Sequence, residues 1–149
     1  MAAWPGVKAA LAAGVTSLPA FADAEVYIGP FPTMGAPQKF MCVGWVDDEN
    51  NAGTYARTRV YDGAVWGEEG EVRSTIVAQA GDSDPSIAEG DAFLMADAVD
   101  AWLQADPTLG GALSPDSDVR ASVDVLSISN GEGTATELVL VLTYTTNDS

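Results

Sequence analysis

The sequence predicts an α+β fold with an N-terminal helix, a small mixed or antiparallel β-sheet, one central helix packed on that sheet, and a C-terminal β-hairpin. Three observations predict it. Val7, Leu11, Val15 and Leu18 recur at helical spacing near the start of the chain. Residues 71–80 alternate, with Val72, Ser74, Ile76 and Ala78 opposite Arg73, Thr75, Val77 and Gln79, which is the period of a strand. Residues 87–103 return to a helical period, and residues 134–145 alternate again behind the turn signal Asn130-Gly131.

The first element, residues 1–18, has two readings. Lys8 before an apolar run, with Ala20-Phe21-Ala22 after it, has the look of a secretory signal and its cleavage site. The run is mostly alanine, however, diluted by Gly14, Thr16 and Ser17, and Pro5 and Pro19 suit the first turn and the stop of a helix. A retained helix is the expectation. Its sizeable apolar groups are Trp4, Val7, Leu11, Val15 and Leu18, so it must dock on something. No stretch approaches the apolar length of a membrane span.

Residues 25–31 read as a short strand ended by a Pro/Gly cluster. Residues 39–46 read as a second strand, apolar on both faces and so shielded on both sides. Asp47, Asp48 and Glu49 open an acidic loop. Residues 54–69 are ambiguous: 58–61 suit an extended segment, whereas Trp66-Gly67-Glu68-Glu69-Gly70 is turn-like. Asp84-Pro85 is a helix start, and that helix runs to about Gln104. Ala92, Met95, Val99, Trp102 and Leu103 form its buried face, with Asp91, Asp97 and Asp100 outside. A Pro-, Gly- and Asp-rich loop follows over 105–118.

Val119, Ala121, Val123 and Val125 then share a face, while Leu126 and Ile128 switch parity, the mark of a bulge or a twist. In the last strand Leu138, Leu140, Leu142 and Tyr144 lie on one face and Val139 and Val141 on the other. Such a strand is central in a covered sheet or buried against a neighbour. Two helices offer limited cover, so a second subunit is expected to supply part of it. Leu138, Val139, Leu140, Val141 and Leu142 are the candidate subunit interface.

Composition narrows function by exclusion. The chain has 149 residues, one domain's worth, and 47% of them are apolar, as in folded proteins. Twenty-two Asp and Glu against six Lys and Arg give a net charge of −16, which argues against nonspecific binding to nucleic acid. There is no histidine, which removes the commonest general base and the Ser-His and Cys-His nucleophile systems. Cys42 is alone in an apolar run and reads as a small buried hydrophobe. The acidic triplets at 82–84 and 116–118 do not continue into a calcium-loop pattern. Glu68 and Glu69 read as solvated charges in their turn. No catalytic residue, cofactor or metal site is expected, and an enzyme is not.

The segment 69–82, Glu-Gly-Glu-Val-Arg-Ser-Thr-Ile-Val-Ala-Gln-Ala-Gly-Asp, with the helix after it, is similar to the strand–Gly-Asp–helix centre of the tail terminator proteins of long-tailed (siphovirus-like) bacteriophages. The order of elements over most of the chain resembles that family too. The Gly/Pro-rich stretch 29–37 departs from its pattern. The resemblance implies a single tail-terminator-like domain over 1–149. It implies a homohexameric ring in the virion, assembled in the host cytoplasm on the head-proximal end of the tail tube. The implied partners are further copies of itself, the tail tube protein and a neck or head-completion protein. DNA would pass through the centre without specific binding, and neither membrane nor cofactor is involved.

On that reading Asp47, Asp48 and Glu49, then Asp116 and Asp118, are candidates for the lumen, where carboxylates repel a sliding duplex within about 8 Å at physiological salt. The loops at 47–57 and 105–118 are candidates for contacts with tube or neck. Two alternatives stand beside it: another head–tail connector or stopper of the neck, and an exported β-rich binding module whose residues 1–22 are a signal peptide.

Overall fold

Helix α1 spans Trp4–Thr16 and buries Val7, Leu11 and Val15 of the expected stripe together with Ala12, whereas Leu18 lies past its end and is half-buried. The computed structural model describes residues 3–29, 39–46, 53–60, 65–80, 85–115, 117–130 and 133–148. A single 3-10 turn, Pro19–Phe21, follows α1 and drops Phe21 into the core. Strands β1 (Glu25–Ile28), β2 (Lys39–Val43), β3 (Gly53–Val60) and β4 (Val65–Ala80) come next. Helix α2 covers Pro85–Ala105, and β5 (Asp118–Asn130) and β6 (Gly133–Asp148) close the chain.

The fold is α+β, with one mixed six-stranded sheet in the order β1-β2-β4-β6-β5. Among the described residues only β1 and β2 run parallel; the other pairings are antiparallel. β2 pairs the 75–78 end of β4, and β3 pairs its 65–72 end, so the two short strands lie end to end along one side of β4. β6 takes the whole of the other side, from Trp66↔Asp148 to Ala80↔Thr134.

Both helices pack on the same face of this sheet. One core joins Leu11 and Val15 of α1, Met95 and Val99 of α2, Ile76 of β4, and Leu138, Leu140 and Leu142 of β6. The helices touch each other at Gly14, where the Trp102 ring fills the space a Cβ would need. A helix-interior glycine ordinarily costs about 1 kcal/mol relative to alanine. Here the sign reverses: Gly14→Ala is expected to lower the melting temperature and shift Trp102 fluorescence, because the indole must leave its seat. A melting temperature at or above that of the parent would show that the contact is loose.

Two expectations about strands need correction. The turn-like segment Trp66 to Gly70 is part of β4, paired to β6 on one side and β3 on the other. Ladder bonds on both sides satisfy its backbone, which outweighs the turn propensity of Gly67 and Gly70. The parity switch at Leu126 is no bulge either, since β5 and β6 stay in one register from Asp118↔Thr145 to Asn130↔Gly133. The closing hairpin is where the turn signal put it. Of the strand ends, β1 and β2 stop at Ile28 and Val43, short of the predicted 31 and 46.

The loop after α2 is less open than its composition suggests. Asp106 accepts hydrogen bonds from the Thr108 hydroxyl at 2.6 Å and from the backbone N–H groups of Gly110 at 2.9 Å and Thr108 at 3.2 Å. The turn so held carries Leu109 at φ 54 and buries it to 1% exposure, with Leu113 beside it. Ser114 and Ser117 then reach the Thr146 hydroxyl at 3.0 and 2.6 Å.

The Thr108 hydroxyl, followed by the Gly110 N–H, holds the Asp106 carboxyl below its ordinary 3.8. A depressed folded-state value means stabilisation that is present above 3.8 and lost as pH falls through the folded value. Asp106→Asn is therefore expected to lower stability at neutral pH and to flatten the acid limb of the melting curve. An acid limb identical to the parent's would remove this carboxylate from the account.

Candidate assembly surface

With both helices on one side, the second face of the sheet is built from the alternate residues of each strand. Its β1–β2 end is closed by a small apolar cluster. Phe40 and Cys42 are buried there with Val77, against Tyr27 and Trp45, and the Tyr27 and Phe40 rings meet edge to face at 6.5 Å. The Thr75 hydroxyl donates to the Trp45 carbonyl at 2.9 Å and fixes the chain as it leaves β2. Cys42 is fully buried, as an apolar filler should be.

Toward β6 and β5 the same face turns polar and open. Val139 is buried and Val141 half-buried, while Thr143 and Thr145 are exposed. Glu69, Glu71, Asp118, Arg120, Thr143 and Thr145 line an open depression of about 580 Å³ with Ala56 at its side. Asp118 and Arg120 stand 3.6 Å apart but are 67% and 80% exposed, so their pairing is worth little. Beyond them β5 is an edge strand thirteen residues long, bonded to β6 alone among the described residues.

The candidate interface residues thus divide between the two faces. Leu138, Leu140 and Leu142 face the chain's own helices and belong to its core. Val139 and Val141 lie on the helix-free face. Asp47, Asp48 and Glu49 lie outside the described residues, as does Asp116. Asp118 opens β5 on the helix-free face, exposed and apart from any described acidic loop. The 105–118 loop, named for contacts with tube or neck, gives much of its length to internal packing through Leu109, Leu113 and the Ser114–Thr146 bond.

Sequence reasoning missed Glu68. It is 2% exposed, and its carboxylate accepts the Tyr144 hydroxyl at 2.6 Å and the Ala3 backbone N–H at 3.0 Å on both oxygens. Ala3 is the residue before the first turn of α1 and has no side chain with which to cap it. From 65 residues away Glu68 accepts the N–H of Ala3 itself and places its carboxylate at the helix end where negative charge is favoured. The Trp4 indole N–H donates to the Glu71 carbonyl at 2.8 Å and ties the same turn to β4. Gly70 makes this possible: the Tyr144 ring lies where its Cβ would stand and reaches Glu68 across the strand. A glycine facing an aromatic in a long strand was the available signal. Its turn propensity concealed it.

Among the described residues no group of three or more Cys, His, Asp and Glu is arranged to hold a metal ion. No described helix is long and apolar enough to cross a membrane. No family model and no curated protein matches the sequence. Among solved structures, the chain is similar to a chain of a particle described as the virion of a native gene transfer agent, at 12% identity and a TM-score of 0.45 over 95% of this chain and 94% of that one. At that identity and score the likeness assigns no role.

Proposed function

We propose that the protein is a ring-forming structural component of a long-tailed phage particle, the tail terminator that caps the head-proximal end of the tail tube and joins it to the neck. The observation that carries this reading is the one-sided architecture: the helices cover one face, and among the described residues the β5–β6 end of the other face and the long β5 edge carry no covering layer. A long unprotected edge strand is a template for pairing with another chain. A ring needs two different surfaces on each copy, one for each neighbour. β5 at one side of the sheet and β1 and β3 at the other meet that need. The strand–Gly-Asp–helix resemblance adds the particular role, and the absence of histidine fits a part whose work is assembly rather than catalysis.

The net charge of −16 suits a passage for DNA, because basic side chains on a lumen would hold phosphates and slow the duplex. A neighbouring connector or stopper of the neck would share this architecture; the partner separates the two. Electron microscopy of the purified protein mixed with tail tube protein is expected to show a six-fold ring with an open centre at one tube end. A ring that ignores the tube and binds a portal or adaptor protein favours the connector. A protein that stays monomeric with either partner rejects both.

A further inference from the structure

We infer that the solvent-facing side of α2 is a docking strip for a basic amphipathic helix of another protein. Ile87 and Leu94 lie on that side, 46% and 64% exposed, two helical turns apart. Gly90 lies between them and Ala101 beyond, both exposed, and a Cβ added at Gly90 would meet nothing. The four residues form one stripe about 21 Å long, directed away from the buried face of Ala88, Ala92, Met95, Val99 and Leu103. Large apolar groups scattered singly on a surface need no explanation. Two of them on one helical stripe, with small residues that let a partner backbone come close, make a seat of the kind that receives a helix.

Charge selects the occupant. Residues 85–105 contain Glu89, Asp91, Asp97 and Asp100 and no Lys or Arg. Asp97 is exposed beside the stripe on one side and Asp91 stands on the other, with Glu89 and Asp100 exposed further round the helix beyond Asp97. Asp91 alone has a described cation near it, Lys39 Nζ at 3.9 Å, and that ammonium sits closer to Asp23, at 3.0 Å. Laying a second copy of α2 on the first would set carboxylates against carboxylates, which disfavours self-pairing here. A helix with apolar residues at i, i+3 or i+4, and i+7, flanked by Lys or Arg, satisfies both the stripe and its borders. This inference does not depend on the ring: it concerns the helix layer, on the opposite side of the sheet from the open face.

The test uses a synthetic helix of about 18 residues with a leucine face flanked by lysines, titrated against the full chain at physiological salt. A generic attraction between a cationic peptide and a chain of −16 must be separated from seating on α2. Leu94→Ser and Val125→Ser do this, because neither changes charge and both residues are exposed, Val125 by 48%. Leu94→Ser is expected to weaken binding about tenfold, equivalent to 1.4 kcal/mol, with Val125→Ser unchanged. A Glu-flanked version of the peptide is expected not to bind. Equal losses from both variants, or a loss from neither, would reduce the effect to net charge and overturn the inference. So would a fall in the protein's own oligomer size on Leu94→Ser, which would make the occupant a second copy.

Discussion

Leu140→Asp is expected to yield no folded protein, whereas Val141→Asp, one residue further along the same strand, is expected to fold and to lose assembly. Leu140 is 1% exposed and belongs to the core on the helix-covered face of the sheet. Removing it from a packed core costs about 2–5 kcal/mol, before the carboxylate is counted. A buried unpaired carboxylate adds several kcal/mol or forces its own protonation. Together these consume most of a total stability of about 5–15 kcal/mol. Val141 points the other way, is only half-buried, and pairs in register with Arg73 and Ser122. A carboxylate there keeps access to water and stands across from a guanidinium. In the free subunit it is therefore tolerated; at a dry subunit contact it is not.

Circular dichroism and size-exclusion chromatography read the two outcomes separately. A Val141→Asp protein that folds and still assembles normally would show that the helix-free face stays wet in the assembly. The one-sided architecture would then have to be completed through the β5 edge alone.

The contrast between these two neighbours shows what was legible in the sequence. Alternation along residues 134–145 assigned each side chain to a face, and the helical stripes of α1 and α2 told which residues turn inward. Periodicity did not say that both helices share one face. Leu138, Leu140 and Leu142 thus entered the candidate interface together with Val139 and Val141, although the helices already cover them. Which layer covers which face is decided by contacts between distant segments, and local patterns carry no record of them. The misread turn at 66–70 has the same origin. Gly67 and Gly70 follow local preference when taken alone, but two flanking strands and the ring of Tyr144 decide their conformation. The site candidates in the acidic segments were legible only as charge. Charge names a property of a surface and leaves its position open.

Glu68→Ala is the second large effect expected, and it tests how α1 is held. The substitution removes the acceptor of the Tyr144 hydroxyl and of the Ala3 N–H at a site that is 2% exposed. Removing the acceptor of a buried hydroxyl costs about 1–3 kcal/mol, and the N–H of half-buried Ala3 adds less. For a chain of this size that corresponds to a fall in melting temperature of about 3–12 °C. The loss of negative charge at the start of α1 acts in the same direction. Tyr144→Phe deletes one donor together with its need for a partner, and is expected to cost about 1 kcal/mol. Glu68→Gln should fall between, because its amide offers one oxygen where the carboxylate offers two.

Hydrogen exchange separates anchoring from general weakening. Amides in the first turn of α1 are expected to exchange faster in Glu68→Ala than those of α2, measured against the parent. In a double-mutant cycle, Glu68→Ala and Tyr144→Phe should couple rather than add, since they share one bond. If Glu68→Ala melts within a degree of the parent and the first turn of α1 keeps its protection, the helix is held by Val7, Leu11 and Val15 alone, and the carboxylate is only a tolerated guest in the core.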